Sequence, residues 1–291
     1  MKSPPFDYVK ARSIEQVHAL LQEHGDDARI LAGGQTLLAT LNMRLSEPTV
    51  LIDITGLAGL RGITLQGNWL HIGALATHTE IETSALVAEH APLLAAAAPH
   101  IAHRAIRNCG TWGGSIAYGD PAAEWPCCLV ALEGVILVQG PQGGRQIAAT
   151  DFFHDLYTTA LQPHEIVIGA RVPVASAAQW FGFSELARRH GDYAVAGLAL
   201  AAHFDGLVAQ RVRLGFLGIG AIPLRAGQTE ALLAGKVLDQ GTIEIAVASL
   251  KSELEPLPDL THESQTKRHL AAVLMRRLLT AAHASRSAML V

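Results

Sequence analysis

Two short segments with adjacent glycines carry the clearest chemical signal in this sequence: residues 32–36 (AGGQT) and 111–115 (TWGGS). Glycine tolerates a positive φ angle and has no Cβ to hold a ligand away from the backbone. A glycine turn that leads into a helix also offers free backbone N–H groups to phosphate oxygens. The apolar periodicity that begins at Leu37 predicts such a helix directly after the first turn. Two converging turns of this kind would suit a diphosphate, which presents several oxygens at once.

Taken singly, each turn is open to a simpler interpretation, because a glycine pair after a strand often forms only a tight connection. The common nucleotide-binding patterns do not settle the question. The N-terminal unit has no GxGxxG after a strand, and the chain has no GxxxxGK[ST]. Gly215, Gly218 and Gly220 follow the order GxxGxG, and Pro223 excludes a helix after them. We interpret these three glycines as turns at a strand end.

The first glycine turn falls within a predicted alternation of strands and helices. Ser13 is expected to cap a helix over residues 14–24. Short apolar runs at residues 29–32 and 50–54 predict strands on either side of the helix that starts at Leu37. The sequence therefore predicts the order strand, glycine turn, helix, strand around the first segment.

The second glycine turn lies in a region with hairpin and helix signals. Turn residues at 66–68 and 140–144 predict two hairpins, and residues 165–173 predict a further strand. A helical stretch is expected from Thr79 through an alanine-rich segment to Ile106. Charged and histidine side chains interrupt the apolar part of this stretch, which argues against a membrane span.

The small polar residues at 173–179 are the best candidate for a domain boundary. Three strands are predicted after it, at residues 179–186, 198–204 and 211–217. Three helices are predicted to follow the strands, at residues 226–233, 243–254 and 262–282. A run of strands followed by a run of helices favours an α+β domain over a doubly wound sheet.

The composition limits the classes of function. The chain has 291 residues, enough for about two domains, with 49% hydrophobic and 16% charged residues. A net charge of -4 gives no electrostatic reason to expect nucleic acid or an anionic membrane as a partner. The first residues do not resemble a secretory signal, so a cytoplasmic location is expected. The mean hydropathy of +0.25 fits a chain that buries surface against partner subunits, although the abundance of alanine alone would also produce it.

The side chains that most often bind metals or perform acid–base chemistry form no obvious site. The three cysteines fit neither a disulfide framework nor the four thiolates of an iron–sulfur cluster. The fourteen histidines include no HExxH motif, so no metal site is expected. Asp120 and Glu124 would fit paired carboxylates, although ligand contact or local capping fits their position after the turn better. Arg188 and Arg189 fit a phosphate clamp, a salt-bridged rim or a contact with a partner subunit.

Three segments in combination resemble a known family. The first is residues 32–37 with Leu45, Pro48 and residues 51–54 (LIDI); the second is residues 106–117 (IRNCGTWGGSIA) with residues 119–124 (GDPAAE); the third is residues 187–194 (ARRHGDYA). In this order they resemble the FAD-binding medium subunit of the molybdenum hydroxylases, the xanthine dehydrogenase and carbon monoxide dehydrogenase family. The resemblance extends over nearly the whole chain.

The resemblance implies an α+β fold with two domains. Residues 1–176 would form a two-lobed FAD-binding domain of the vanillyl-alcohol-oxidase (PCMH) type, with lobes at about 1–55 and 56–176. Residues 177–291 would form a smaller α+β domain like the C-terminal domain of the carbon monoxide dehydrogenase flavoprotein.

The resemblance also implies a set of FAD-binding residues. Residues 32–36 and 111–115 would hold the pyrophosphate, Glu124 would contact the ribityl-side hydroxyls, and Tyr193 would lie close to the isoalloxazine ring. The implied residues are Arg29, Ala32, Gly33, Gly34, Gln35, Thr36, Leu37, Ile101, Thr111, Gly113, Gly114, Ser115, Ala117, Asp120, Glu124, Val167 and Tyr193. Three positions depart from the family pattern: Trp112 replaces a smaller aliphatic residue, Cys109 an arginine and Glu124 an aspartate. Trp112 is expected either to reshape the second turn or to cover the flavin.

By resemblance, the function is electron transfer in a heterotrimeric molybdenum hydroxylase. Substrate would be oxidised at molybdopterin on a large subunit. Electrons would pass through two [2Fe–2S] clusters on a small subunit to FAD on this chain, and then to NAD, oxygen or a quinone. The assembly would be a dimer of heterotrimers, and this chain would contribute no catalytic residue. The alternatives are a stand-alone FAD-dependent oxidase or reductase of the same fold, and a flavin-storing scaffold.

Overall fold

The N-terminal lobe is built around a small parallel sheet. The structure is a computed structural model that describes residues 2–289. The elements of this lobe are β1 (Asp7–Lys10), α1 (Ile14–His24), β2 (Ala28–Leu31), α2 (Leu37–Asn42) and β3 (Val50–Asp53). The strand order is β1-β3-β2, and both neighbouring pairs are parallel. The predicted order of strand, turn, helix and strand is confirmed, and β2 ends immediately before the first glycine segment.

The ends of α1 follow the sequence signals closely. The Ser13 side chain accepts a hydrogen bond from the Gln16 N–H, and Gly25, with φ 51°, closes the helix. Val17 packs into the core beside the fully buried Ile52 of β3. The lobe therefore buries one face of α1 against its sheet.

The second lobe combines a five-stranded antiparallel sheet with short helices. Its elements are β4 (Ile63–Gln66), β5 (Trp69–Gly73), α3 (His78–Thr83), α4 (Ala85–His90), α5 (Pro92–Ala97), α6 (Arg104–Arg107), α7 (Trp112–Tyr118), α8 (Glu124–Ala131), β6 (Val135–Gly140), β7 (Gly143–Ala148), β8 (Phe153–Asp155), β9 (Thr158–Thr159) and β10 (Ile166–Pro173). The sheet order is β4-β5-β10-β6-β7, and β8 pairs with β9 separately. Both predicted hairpins, β4–β5 and β6–β7, are confirmed.

The helical stretch predicted from Thr79 to Ile106 is wrong as a continuous helix. The chain forms four short helices, α3 to α6, and a 3₁₀ turn at Ala98–His100. Ser84 is extended between α3 and α4, and Pro92 starts a new helix because it cannot donate a backbone hydrogen bond.

The C-terminal region is the predicted α+β unit. Its elements are β11 (Gln179–Leu186), β12 (Ala196–Asp205), β13 (Val208–Leu217), β14 (Leu224–Arg225), α9 (Gly227–Leu233), β15 (Lys236–Val237), α10 (Gln240–Glu253) and α11 (Ser264–Met289). The antiparallel order is β11-β12-β13-β14, with β15 on β13. Leu250 of α10 and Leu274 of α11 pack with Leu200 and Leu214 of the sheet. Helix α11 extends seven residues beyond the predicted end at residue 282.

The second lobe and the C-terminal region share a core. Phe183 of β11 and Leu217 of β13 lie in the same buried cluster as Trp125 and Leu129 of α8. The Cys127 Sγ–H donates to the Gly215 carbonyl oxygen over 3.0 Å. This packing fixes the C-terminal sheet against the lobe that carries the second glycine segment. Over residues 2–289, none of the helices is both long and apolar enough to span a membrane.

Candidate cofactor-binding site

A cleft of about 910 Å³ brings together residues from both lobes and the C-terminal region. All the FAD-binding residues predicted from the sequence line it, from Arg29 in β2 to Tyr193 in the loop between β11 and β12. Its size lies in the usual range for sites that take a cofactor. The fold therefore places three distant segments of the sequence around one cavity.

The first glycine segment supplies a row of free backbone donors. Gly34 has φ +71°, a left-handed conformation that favours glycine. The turn is held by the Leu38 N–H donating to the Gly34 carbonyl over 3.0 Å and by Gln35 Nε2 donating to the Gly33 carbonyl over 2.9 Å. Within the described chain, none of the five amide N–H groups of residues 33–37 has an acceptor. Successive free amides in a turn form a concave anion site.

The second glycine segment differs from its prediction, because it forms the first turn of α7 and the amides of residues 112–115 are already used. The Thr111 side chain caps the helix by accepting from the Gly114 N–H over 3.2 Å. The Trp112 and Gly113 N–H groups donate to the carbonyls of Ala76 and Ala74 over 2.8 Å each. The donors left for a ligand are therefore the Thr111 N–H and the side-chain hydroxyls of Thr111 and Ser115.

The glycines at 33 and 113 are required by the packing of the chain itself. A Cβ on Gly33 would lie 2.2 Å from the Cys109 carbonyl oxygen, and one on Gly113 would lie 2.5 Å from the Ala74 Cβ. The sequence interpretation assigned these glycines to ligand approach. The structure gives them a packing role: Gly33 lets the first segment lie against the chain just before the second, and Gly113 lets α7 lie against Ala74.

Positive charge is sparse around the cleft. Arg29 is the only lysine or arginine among the described residues that line it. Its guanidinium donates to the carbonyls of Asp26 and Ala28 over 2.7 and 2.8 Å. An anionic ligand here would therefore be bound largely by the backbone dipoles of residues 33–37.

Two carboxyl groups, of Asp120 and Glu124, also line the cleft. Burial, followed by the nearby carboxylates Glu185 and Asp120, raises the pKa of Glu124 to about 8. Burial also raises the pKa of Asp120, whose Oδ1 accepts from the Ala122 N–H over 2.8 Å. Asp120 thus has the local capping contact expected as one alternative for this pair. Glu124 is protonated at neutral pH and so presents both a donor and an acceptor.

The loop between β11 and β12 contributes Gly191, Asp192 and Tyr193 to the lining of the cleft. Gly191 has φ +87°, and a Cβ there would approach the His103 ring to 2.5 Å. The Tyr193 side chain is 67% exposed. Partial desolvation and the Asp120 carboxylate raise the pKa of Tyr193 to about 12, so its phenol stays protonated at neutral pH.

Comparison with known proteins identifies the family. Residues 4–175 match the profile of the FAD binding domain in molybdopterin dehydrogenase, and residues 181–282 match the CO dehydrogenase flavoprotein C-terminal domain. The chain belongs to this family of FAD-binding subunits of molybdenum hydroxylases. The predicted α+β fold, the FAD cofactor and the oxidoreductase class are thereby confirmed.

Individual relatives cover almost the whole chain of this flavin subunit. It is 37% identical to the nicotine 6-hydroxylase medium subunit of Paenarthrobacter nicotinovorans, over 98% of this chain and 99% of that protein. It is 34% identical, over the same shares, to the carbon monoxide dehydrogenase medium chain of Hydrogenophaga pseudoflava. The structure of a Hydrogenophaga pseudoflava carbon monoxide dehydrogenase that lacks the Mo-pyranopterin moiety matches with a TM-score of 0.95 and 35% identity, covering 98% of this chain and 99% of that one.

The residues that depart from the family pattern lie mostly outside the cleft of this flavin subunit. Trp112 is fully buried and does not line the cleft, which favours the first of its two expected effects, on the shape of the second turn, over covering the flavin. Cys109 is exposed and likewise absent from the lining. Arg188 and Arg189 are exposed and outside it, so neither forms its wall.

His78, Tyr118 and Tyr157 are among the lining residues of the flavin subunit that the sequence did not predict. The rings of Tyr118 and Tyr157 lie 4.9 Å apart, although one is in α7 and the other in the turn between β8 and β9. No local pattern marks a residue that reaches the site only through such a distant turn. Among residues 2–289, no group of three or more histidine, cysteine or acidic side chains is arranged to hold a metal ion.

Proposed function

We propose that this chain holds FAD in the cleft and acts as the electron-transfer flavin subunit of a heterotrimeric molybdenum hydroxylase. The diphosphate would be bound by the amides of residues 33–37 and the hydroxyls of Thr111 and Ser115. Glu124 would contact the ribityl hydroxyls, and Tyr193 would cover the isoalloxazine ring. The observation that carries the proposal is the convergence of all the predicted residues on one cleft with five free amides.

The residues present fit this cofactor chemically. Free amides suit a diphosphate because they stabilise negative charge without bringing a mobile cation. A protonated Glu124 suits sugar-type hydroxyls, which need both donors and acceptors. Apolar side chains such as Ile101 and Val167 supply the less polar part of the wall. FAD supplies redox chemistry that amino acids lack, and the protein's part is to bind and orient it.

The role of an electron relay follows from what this chain and its relatives contain. Its relatives include medium subunits of carbon monoxide and nicotine-oxidising enzymes, and one related structure is described as a Cu,Mo-CO dehydrogenase. The three cysteines are too few for a cluster with four thiolate ligands. We therefore place the [2Fe–2S] clusters on a small partner subunit and molybdopterin on a large one, in a dimer of heterotrimers. NAD, oxygen or a quinone would be the final acceptor.

Two smaller assignments belong to the same proposal. We place the domain boundary between residues 176 and 177, which lies between the two family matches. We place the complex in the cytoplasm, where buried free thiols such as Cys127 and Cys128 stay reduced.

A stand-alone oxidase or reductase remains the competing function, and one preparation separates the two. The chain would be produced alone and together with the subunits encoded beside it. Each preparation would be loaded with FAD and mixed anaerobically with candidate N-heteroaromatic, aldehyde or carbon monoxide substrates. We expect the visible absorbance of oxidised flavin to bleach only in the complex. Bleaching of the lone chain by a substrate would contradict the relay function.

A further inference from the structure

His78 presents one free hydrogen-bond donor at the wall of the cleft. It is only 6% exposed, yet it lines the cavity. The indole Nε1–H of Trp125 donates to His78 Nδ1 over 2.9 Å. Because an indole nitrogen is only a donor, Nδ1 must be the acceptor and the imidazole proton must lie on Nε2. The contact between these two side chains thus selects the tautomer.

The other imidazole nitrogen of His78, Nε2, has no acceptor within residues 2–289 and is open to the cavity. His18 gives the contrast: its Nδ1 lies 2.9 Å from the His164 carbonyl, and its Nε2 is completely enclosed without a partner. The Nε2 atom of His78 is not among the enclosed atoms. A buried polar group normally finds a partner, so an open, unpaired Nε2–H at a cofactor cleft points to a ligand acceptor.

The position of His78 relates it to the first glycine segment. Its backbone N–H donates to the Gly110 carbonyl over 3.0 Å. A Cβ on Gly110 would lie 2.7 Å from His78 Nε2, and a Cβ on Gly33 would lie 2.8 Å from the Gly110 Cα. Gly110 is therefore the spacer between the imidazole edge and the start of the free amides.

The imidazole of His78 is neutral, and its orientation is fixed by its neighbours. Burial, followed by the positive charge of Arg107, lowers the pKa of His78 to about 4. Trp125 is fixed by the fully buried Trp112, whose ring centroid lies 5.2 Å away in an edge-on arrangement. The two tryptophans thus lie behind the imidazole and fix its orientation.

We propose that His78 is a further cofactor-positioning residue, whose Nε2–H donates to an oxygen of the FAD diphosphate while Trp125 sets the tautomer that allows it. This inference rests on the proposed FAD site. The neutral imidazole adds a directional donor beside the amides of residues 33–37 without adding charge. It also gives the buried Trp112 and Trp125 a part in cofactor binding, although neither lines the cleft.

The test uses the assembled complex, from which FAD is removed and titrated back. We expect His78→Leu to weaken FAD binding about 10- to 100-fold, the usual effect of losing one hydrogen bond to a charged group. His78→Gln, which keeps an N–H donor, should recover most of this loss. Trp125→Phe should weaken binding only a few-fold, because the imidazole can still donate in one of its two tautomers. The matched control is His18→Leu, which removes a buried imidazole outside the cleft and should leave FAD affinity unchanged.

Two further readouts separate a contact from a general structural effect. The phosphorus-31 resonances of bound FAD should shift in His78→Leu and stay in place in His18→Leu, while the flavin midpoint potential should not change in either. Unchanged affinity in His78→Leu, or a changed potential with unmoved phosphorus resonances, would overturn the proposal. If the parent complex bound no FAD at all, the proposed function itself would fail, which is a distinct result. If the His78→Leu complex does not assemble, the FAD affinity and the phosphorus resonances of His78→Gln and Trp125→Phe are compared with those of the parent. These two variants then decide whether the proposal holds.

Discussion

The Cα of Gly33 lies against the backbone of Cys109, so that a Cβ on Gly33 would come within 2.2 Å of the Cys109 carbonyl oxygen. This contact joins the first glycine segment to the chain just before the second. It lies between groups of the protein itself, and a larger residue at position 33 would separate the segments before any ligand was involved. The role of Gly33 is therefore to assemble the cleft.

Gly33→Ala should destabilise the flavin-free protein as well as abolish FAD binding. Overpacking against a rigid backbone typically costs about 1–3 kcal/mol. Thermal unfolding of the flavin-free chain and FAD content after reconstitution would measure both effects. Gly59→Ala is the matched control, since a Cβ there has no neighbour within 4 Å among the described residues. A Gly33→Ala protein of parental stability that lost only FAD would contradict this role.

Ser115→Ala should weaken FAD binding without changing stability. In the described chain the Ser115 hydroxyl has no hydrogen-bond partner, and the residue lines the cleft beside Gly114. Loss of one neutral hydrogen bond to the cofactor should reduce affinity by about 3- to 10-fold. Titration of the apo complex with FAD would measure this. Ser252→Ala, which removes an exposed hydroxyl from α10, should have no effect on affinity.

The raised pKa of Glu124 should make the flavin-free protein less stable as the pH rises. Its pKa in the folded chain, about 8, is above the ordinary value of 4.5, so the folded state binds the proton more tightly than the unfolded state. The stabilisation is therefore full at low pH and is lost progressively between these two values. Thermal unfolding of Glu124→Gln should show a flatter pH profile and a higher midpoint at pH 9 than the parent. The exposed Glu23→Gln serves as control, and a parental profile for Glu124→Gln would contradict the assignment.

Glu230 should contribute more to stability than its neighbour Glu133. Both accept from Arg213 and Arg225, but the side chain of Glu230 is 5% exposed and that of Glu133 is 36% exposed. Removing the charge at Glu230 leaves Arg213 and Arg225, whose side chains are 23% exposed, with only the more exposed carboxylate of Glu133, at a cost of about 2–3 kcal/mol. Glu133→Gln should cost about 1 kcal/mol, since solvent screens an exposed pair. Chemical denaturation of the two variants would compare them, and equal losses would show that burial does not decide their contributions.

Tyr193→Ala should change the flavin environment with little cost in folding. Tyr193 is 67% exposed, so removing its side chain leaves no cavity in the core. If it covers the isoalloxazine ring, Tyr193→Ala should expose bound FAD to quenchers of flavin fluorescence, whereas Tyr193→Phe should behave like the parent. Equal quenching in parent and Tyr193→Ala would place the ring elsewhere in the cleft.

Local sequence patterns predict much of the fold, because helix caps and turns depend on residues that are close together in the chain. The Ser13 cap and the Gly25 stop defined α1, and the turn at Gly67 defined the β4–β5 hairpin. One helical stretch from Thr79 to Ile106 is a wrong prediction, because alanine and leucine favour a helix in any context. The proline at position 92 and the extended Ser84 decided where that stretch breaks.

The sequence alone determined the family, the cofactor and many of the residues that surround the cleft, since these depend on short segments whose order and composition are specific. Only the tertiary structure decided which amides are free, because the N–H groups of Trp112 and Gly113 meet carbonyls that a different part of the fold supplies. The tertiary structure also decided the protonation state of Glu124, which depends on burial and on Glu185 of β11. The contact between Trp125 and His78 joins residues 47 apart in the chain. Such long-range contacts set the charge and hydrogen-bonding state of each group, and no local pattern records them.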